Sequence, residues 1–232
     1  MTQLNIQHLN ARQAAEAVTL FNAEYSEMEK ALHCLAEHCR ASLLCGNNKE
    51  VVEALVWTIK SWWGVQGVRS ETKALAAQAL FKMKWTQDDF TIIPGSTEDG
   101  VKYAVDRVSE LVSSMMGLGV GRQEFSLSSK VLHWLTPNRV PVYDSFVRKS
   151  IGIPTRWDHK SAYEGIVHWQ LTAIQQLSSE GKTWCGEVVP LSPFRALDKY
   201  LWWLGGGANS RAVVAREPFR IVQKLGLAVN NE

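Results

Sequence analysis

The amino-acid sequence predicts an all-α protein. Apolar residues recur at spacings of three and four through most of the chain, which is the period of a helix with one buried face. Glycine and proline residues interrupt this pattern at intervals and mark where helices end and begin. No pair of segments has the alternation expected of neighbouring strands, and no internal repeat is present.

Four helices are predicted in the first half of the chain, most of them bounded by glycine or by a capping residue. The first ends near Gly46, and the second covers 52–63. The third follows Ser70, and the fourth begins at Ser96-Thr97-Glu98-Asp99. Residues 85–95 lack the helical period, and they predict a loop or a short extended segment.

Four longer helices and a short last one are predicted in the second half. The first covers 127–136, the second begins at Tyr143-Asp144, and the third carries Ala162 to Leu177. The fourth spans 194–204, and the short last helix starts at Pro218. Ser192 followed by Pro193 is typical of a helix start, because serine caps the first amides and proline fits the first helical position.

Length and composition are those of an ordinary globular protein. With 232 residues, 46% hydrophobic and 21% charged, the chain can form one large domain or two small lobes that share an interface. A net charge of +2 neither requires nor excludes nucleic acid, because a phosphate-binding face can be local.

Cysteine usage and hydropathy predict an intracellular, cytoplasmic protein. The four cysteines have no spacing typical of a disulfide framework: Cys34, Cys39, Cys45 and Cys185. The N-terminus has no basic start followed by an apolar run, so no signal peptide is expected. No stretch approaches the roughly 18 apolar residues that a membrane span needs, so no membrane contact is expected either.

A cluster of histidine and cysteine residues near the N-terminus is a candidate metal site. Cys34 and His38 stand four residues apart, which is a workable pairing of ligands on a helix. No second pair completes a tetrahedral set, and cysteine commonly acts as a small buried apolar residue. We therefore predict no metal.

A glycine-rich connection between two predicted helices is the first candidate functional segment. Its central residues, 117–122, contain three glycines, which let a phosphate approach the backbone closely. The amides that open the following helix point outward as anion donors. A plain helix C-cap with a tight turn explains the same glycines. Farther along the chain, Asp144 stands where another helix begins.

Three segments, in this order, resemble the helix-hairpin-helix DNA glycosylase superfamily. Residues 118–122, Leu-Gly-Val-Gly-Arg, are similar to its hairpin, although the connection here is about three residues longer. Residues 128–132, Ser-Ser-Lys-Val-Leu, resemble the helix that follows. Residues 143–147, Tyr-Asp-Ser-Phe-Val, resemble its aspartate motif.

The likeness continues upstream, where residues 53–63 and 73–81 resemble the two opening helices of that superfamily. It implies one glycosylase-like domain, arranged as a two-lobed helical bundle. Residues 50–155 would carry the hairpin and the aspartate, and the flanking 1–49 and 156–232 would form the second lobe. A DNA cleft between the lobes, a double-stranded DNA partner and a monomeric state are also implied.

The resemblance assigns catalysis to Asp144. Breaking an N-glycosidic bond builds positive charge on the sugar ring, and a nearby carboxylate stabilises that charge and orients the attacking water. Aspartate is also a preferred N-cap, and on the residues alone a purely capping role explains Asp144 equally well.

Departures from the family pattern favour a monofunctional reaction. Ser126 occupies the position where bifunctional relatives carry their Schiff-base lysine, so water rather than lysine is the expected nucleophile. Lys130 is the nearby lysine, and contact with phosphate or a solvated helix face accounts for it. The four-cysteine iron–sulfur loop of some relatives is absent from the sequence, and no cofactor is expected.

The remaining site assignments also follow the resemblance. Trp62 and Trp63 stand where relatives carry the residue that fills the space left by the flipped nucleotide, and with Tyr143 they are the expected wedge or base pocket. Residues expected to contact the DNA backbone are Gly117, Gly119, Gly121, Arg122, Ser126, Ser128, Lys130 and Arg148.

The target base is left open by the sequence. A divergent, tryptophan-rich member is similar to glycosylases of bacterial antiphage defence, which attack hypermodified, for instance glucosylated, cytosines. A housekeeping repair substrate is the competing choice. A non-catalytic DNA-binding module and a purely structural helical protein remain the alternatives from other classes.

Overall fold

The computed structural model describes residues 6, 9, 11–62, 70–91, 97–136, 139–179 and 192–205. This part of the chain contains nine α-helices and no strand, which confirms the all-α prediction. None of its helices is long and apolar enough to cross a membrane.

The helices begin and end close to the positions predicted from the sequence. They are α1 Ala11–Cys45, α2 Lys49–Trp62, α3 Ser70–Lys82, α4 Gln87–Phe90, α5 Thr97–Gly117, α6 Phe125–Leu135, α7 Ser145–Ser150, α8 His159–Ser179 and α9 Pro193–Leu204. The helix predicted at Pro218 and the cap predicted at Ser96 lie outside the described residues, as do Trp63 and Cys185.

The short helix α4 corrects the prediction of a loop or extended segment over 85–95. Thr86 and Asp89 form a capping box, in which the Thr86 N–H donates to Asp89 Oδ2 at 2.9 Å. Phe90 is buried, and its ring stacks on Trp85 with centroids 5.3 Å apart. One turn is too short to show a helical period in the sequence. The capping box and the burial of the Phe90 ring stabilise this helix instead.

The described residues divide into two compact units. The first unit takes those within Met1–Tyr25, Ile92–Asp106 and Asn138–Arg211, and it contains α7, α8 and α9. The second unit takes those within Ser26–Thr91 and Arg107–Pro137, and it contains α2, α3, α4 and α6. Helices α1 and α5 contribute residues to both units.

In the second unit, α2 packs against α3 and α6. The buried face of α2 consists of aliphatic residues that touch no solvent: Val52, Leu55, Val56 and Ile59. Arg40 of α1 caps the far end of α6, because its guanidinium donates to the carbonyls of Trp134 at 2.8 Å and Leu135 at 3.0 Å. These carbonyls have no partner within their own helix, so a cation there holds α6 in place.

In the first unit, α9 packs against α7 and α8. Ser192 Oγ accepts from the Arg195 N–H at 3.0 Å, and Pro193 follows at the start of the helix, as the sequence predicts. Tyr163 of α8 is fully buried, and its hydroxyl donates to the Pro141 carbonyl at 2.9 Å. This bond anchors the extended segment that leads into α7.

Helix α9 also brings charge into the interior of the first unit. Arg195, Asp198 and Lys199 are 5%, 5% and 1% exposed. Arg195 pairs with Asp198, and Lys199 donates to the Asn22 side-chain oxygen at 2.6 Å. Both cations lie over the ring of Phe21, at 5.0 and 4.8 Å from its centroid. These residues form a buried charged cluster.

Gly205, at the end of α9, permits the close contact with α7. A Cβ at this position would overlap the Phe146 carbonyl oxygen and lie 2.8 Å from Phe146 Cα. The backbone itself is ordinary, with φ −69° and ψ −8°, so the constraint is purely steric. We expect Gly205→Ala to destabilise the protein by about 1–3 kcal/mol, measured by urea unfolding.

Gly117→Ala is the matched control for Gly205→Ala. Gly117 is helical, and a Cβ there meets nothing within 4 Å. Alanine should therefore be neutral or stabilise by up to about 1 kcal/mol. Equal effects of the two substitutions would contradict the steric explanation.

Candidate functional site

Asp144 begins α7, as the sequence predicts. Its backbone is extended, with φ −139° and ψ 151°, and its Oδ1 accepts the Phe146 N–H at 2.8 Å. The side chain is half-buried. One carboxylate oxygen is thus held by a backbone amide at the helix start, which is the N-cap arrangement. Catalysis by this carboxylate stays a prediction.

Tyr143, just before Asp144, is the centre of a polar network in the first unit. Its hydroxyl accepts from Arg148 Nη1 at 2.7 Å and lies 2.9 Å from His159 Nδ1. Arg148 also donates to the Pro154 carbonyl at 2.6 Å. Burial raises the pKa of the Tyr143 hydroxyl, and the guanidinium of Arg148 opposes that rise. The network ties α7 to the start of α8.

This network changes the roles expected for two residues. Tyr143 is 6% exposed, so little of its ring can line a base pocket. Both terminal nitrogens of Arg148 are engaged within the protein, so its geometry is that of a structural support rather than of a phosphate contact. His159 was missed by the sequence reasoning, because it lies 16 residues from Tyr143 and belongs to no recognisable motif.

Removal of the Tyr143 hydroxyl should loosen this end of α7. In Tyr143→Phe, the half-buried guanidinium of Arg148 loses an acceptor, so we expect a loss of about 1–3 kcal/mol in thermal or urea unfolding. Tyr200→Phe is the control, since that buried hydroxyl makes a longer 3.3 Å contact with the neutral side chain of Gln13. A smaller loss for Tyr143→Phe than for Tyr200→Phe would contradict the network.

In the second unit, Gly119 ends α5 as a Schellman cap. Its φ is 99°, in the left-handed region, and its N–H donates to the Met116 carbonyl at 3.0 Å. The Val120 N–H donates to the Met115 carbonyl at 3.1 Å, and Val120 is buried. The C-cap that the sequence left open therefore accounts for Gly119.

Gly117 and Gly121 are not explained by packing. A Cβ at either position would meet nothing within 4 Å, and both residues are exposed. An exposed glycine backbone permits a close approach by a phosphate. These two glycines, rather than Gly119, remain candidates for backbone contact with DNA.

Arg122 forms an ion pair within the same connection. Its Nε donates to Glu124, the residue that precedes α6, and the two side chains are 54% and 6% exposed. Arg122 is accessible to a phosphate, but Glu124 competes for the guanidinium. The sequence reasoning did not include this buried carboxylate.

Helix α6 is far more buried than expected, and this corrects two predicted DNA contacts. Ser128 and Lys130 are 0% and 3% exposed, so their side chains do not face solvent and the solvated face expected for Lys130 is wrong. Ser126 is half-buried at the start of the helix, and its carbonyl accepts from Ser129 Oγ at 3.2 Å. Of the predicted side-chain contacts on α6, only Ser126 keeps access to solvent.

The predicted wedge lies at the edge of the described chain. The backbone of Trp62 ends α2, its side chain is not described, and Trp63 lies outside the described residues. Trp57, one turn and a half earlier on the same helix, is 40% exposed. The sequence did not single out Trp57, because an exposed tryptophan cannot be told from a buried one by type.

No family model, curated protein or solved structure matches this chain.

The predicted site residues are therefore distributed over both units. The first unit brings together Asp144, Tyr143 and Arg148, and it adds His159. The second unit contains the glycine-rich connection, the start of α6 and the end of α2. Within the described residues, no three His, Cys, Asp or Glu side chains are grouped so that they could hold a metal ion.

Proposed function

We propose that this protein is a monofunctional DNA N-glycosylase that flips out a modified base and hydrolyses its N-glycosidic bond. The observation that carries the proposal is the Asp144 carboxylate, which is fixed at the start of α7 by the Phe146 amide. It occupies the position of the aspartate in the family-like segment 143–147. The ordered likeness of residues 118–122 and 128–132 supports the same activity.

The carboxylate of Asp144 would act on the sugar of the extruded nucleotide. As the bond to the base breaks, positive charge develops on the ring, and a fixed carboxylate stabilises it without reorganisation at the moment of reaction. The same group orients the water that attacks the sugar carbon. The hydrogen bond from the Phe146 N–H restricts where the carboxylate can lie.

Residues of α6 support hydrolysis rather than a covalent imine. Ser126 replaces the nucleophilic lysine of bifunctional relatives, and the side chain of Lys130 is 3% exposed. A buried ammonium is a poor candidate for attack on a sugar. The product is therefore a free base and an abasic site in an uncut strand.

Modified bases of viral DNA are the proposed substrate class, with glucosylated hydroxymethylcytosine as the leading example and antiviral defence as the setting. A housekeeping repair base is the alternative. Phage plating on cells that express the protein separates the two, since a repair enzyme gives no protection.

Base release from a panel of DNAs tests the activity. Duplexes and phage genomes with defined modifications are incubated with the protein, and free bases are identified by mass spectrometry. We expect a base from at least one modified DNA, with no strand cleavage and no adduct trapped by borohydride. Absence of any released base refutes the glycosylase, and a trapped adduct refutes the monofunctional mechanism.

A non-catalytic DNA-binding module is the second candidate. It is favoured by one observation: the Asp144 carboxylate is already accounted for as an N-cap. Such a module would bind duplex DNA with a steep salt dependence and release no base.

A further inference from the structure

A pair of lysines on α2 and α3 lies beside an exposed tryptophan in the second unit. Lys73 Nζ stands over the Trp57 ring, 4.3 Å from its centroid. Lys60 follows Trp57 by three residues on α2, so the two share a helix face. Trp57 is 40% exposed and Lys60 is half-buried, so these two side chains reach the surface.

In the part of the chain that the structure describes, neither Lys60 nor Lys73 forms an ion pair. The nearest acidic residue along the same helix face, Glu53, is paired with Lys49 at 3.0 Å. Burial and the charge of Lys60 both lower the pKa of Lys73.

The placement of Lys73 adds to this electrostatic cost. It lies in the first turn of α3, close to the positive end of the helix dipole, where a cation is unfavourable. The ring of Trp57 offsets part of this cost, and Lys73 as a residue is 7% exposed. Binding of an anion nearby should therefore stabilise the charged form of Lys73.

We propose that Lys60, Lys73 and Trp57 form a binding site for a backbone phosphate of a nucleic-acid strand. A phosphodiester carries one negative charge, which the more exposed Lys60 would contact directly. Lys73, 7% exposed beside the Trp57 ring, would add attraction through its charge. The exposed part of the indole offers an apolar surface to the adjoining sugar or base. This site adds a contact that the sequence did not predict, and it does not require Asp144 to be catalytic.

The salt dependence of duplex binding tests this proposal. Fluorescence anisotropy measures the association constant for a duplex of about two helical turns at several salt concentrations. Lys60→Gln and Lys73→Gln should each weaken binding about three- to ten-fold at low salt. The double variant should reduce the slope against log salt by about 0.9, the loss of one phosphate contact. The control is Lys102→Gln, which removes the same charge from an exposed ion pair with Asp106 and should leave the slope unchanged.

Lys60→Glu separates loss of the site from loss of the fold. The new carboxylate should pair with Lys73, so the unfolding temperature stays or rises while duplex affinity falls further than in Lys60→Gln. Unchanged slopes, or an equal effect of Lys102→Gln, overturn the proposal. Binding to phosphatidylserine vesicles that depends on these lysines, without binding to duplex, overturns it in favour of a membrane surface.

Failure of this inference and failure of the glycosylase are distinguishable. The lysine variants are judged by binding alone, and base release is judged separately. Asp144→Asn should retain the wild-type slope. If the protein releases a base but the Lys60 and Lys73 variants bind duplex as the wild type does, the phosphate site is refuted and the glycosylase proposal stands.

Discussion

Asp144→Asn is expected to lower base release by about 100- to 1000-fold, the usual effect of losing one charge-stabilising group. Asparagine keeps the side-chain oxygen that accepts the Phe146 N–H and is as good an N-cap as aspartate. The free energy of unfolding should therefore change by less than about 0.5 kcal/mol. Single-turnover base release, with urea unfolding of the same samples, measures both quantities.

Asp158→Asn is a chemically matched control for this prediction. Asp158 precedes α8, and its Oδ1 accepts the Ser161 N–H at 3.0 Å, so it too is an aspartate at a helix start. The Asp158→Asn variant should release base at the wild-type rate. Activity that survives Asp144→Asn unreduced removes this carboxylate from the mechanism, and equal losses in both variants assign the effect to capping.

The helices could be predicted because the spacing of apolar residues and the residues that begin and end a helix are local features of the sequence. Helix α9 is an example, because Ser192 and Pro193 indicate where it begins. Helix α4 could not be predicted in the same way. Its single turn depends on the reciprocal bonds of Thr86 and Asp89 and on the burial of Phe90, and no period can be read from four residues.

The candidate site was predictable only in its local part. Asp144 and the amide it caps are two residues apart, so the sequence shows both. The contact between Tyr143 and His159 spans 16 residues and depends on how α8 packs, which no local pattern records. Such contacts follow from tertiary packing alone.

Burial of polar residues was the main failure of the sequence reasoning. Helix α6 carries three serines and a lysine, which is typical of a helix with a solvated side, yet Ser128, Ser129 and Lys130 are all buried. Small serines let neighbouring elements approach from that side. On α9, Arg195 and Asp198 have the spacing of a surface ion pair, and they too are buried.

That buried pair carries the largest expected effect on stability. Asp198→Asn preserves the shape of the side chain but removes the charge that compensates Arg195, while Lys199 remains 1% exposed beside it. Breaking a buried pair from one side costs about 3–5 kcal/mol, because a charge is left in the interior. Urea unfolding at neutral pH measures the loss.

An exposed pair, spaced four residues apart where the buried pair is spaced three, provides the comparison. Arg12 and Glu16 are 88% and 59% exposed, so Glu16→Gln should cost less than about 1 kcal/mol. A loss of that small size for Asp198→Asn would show that the pair is solvated in the working protein.

Removal of both partners separates the cost of an unpaired charge from the value of the pair. In Arg195→Met with Asp198→Leu, no ion pair is left to break, and replacement of a buried pair by apolar side chains is often neutral or stabilising. We therefore expect the double variant to recover most of the stability that Asp198→Asn loses. Both cations also lie over Phe21, so an incomplete recovery would measure the packing that Arg195 contributes on that ring. A double variant less stable than Asp198→Asn contradicts the electrostatic account, because the loss would then come from shape rather than from charge.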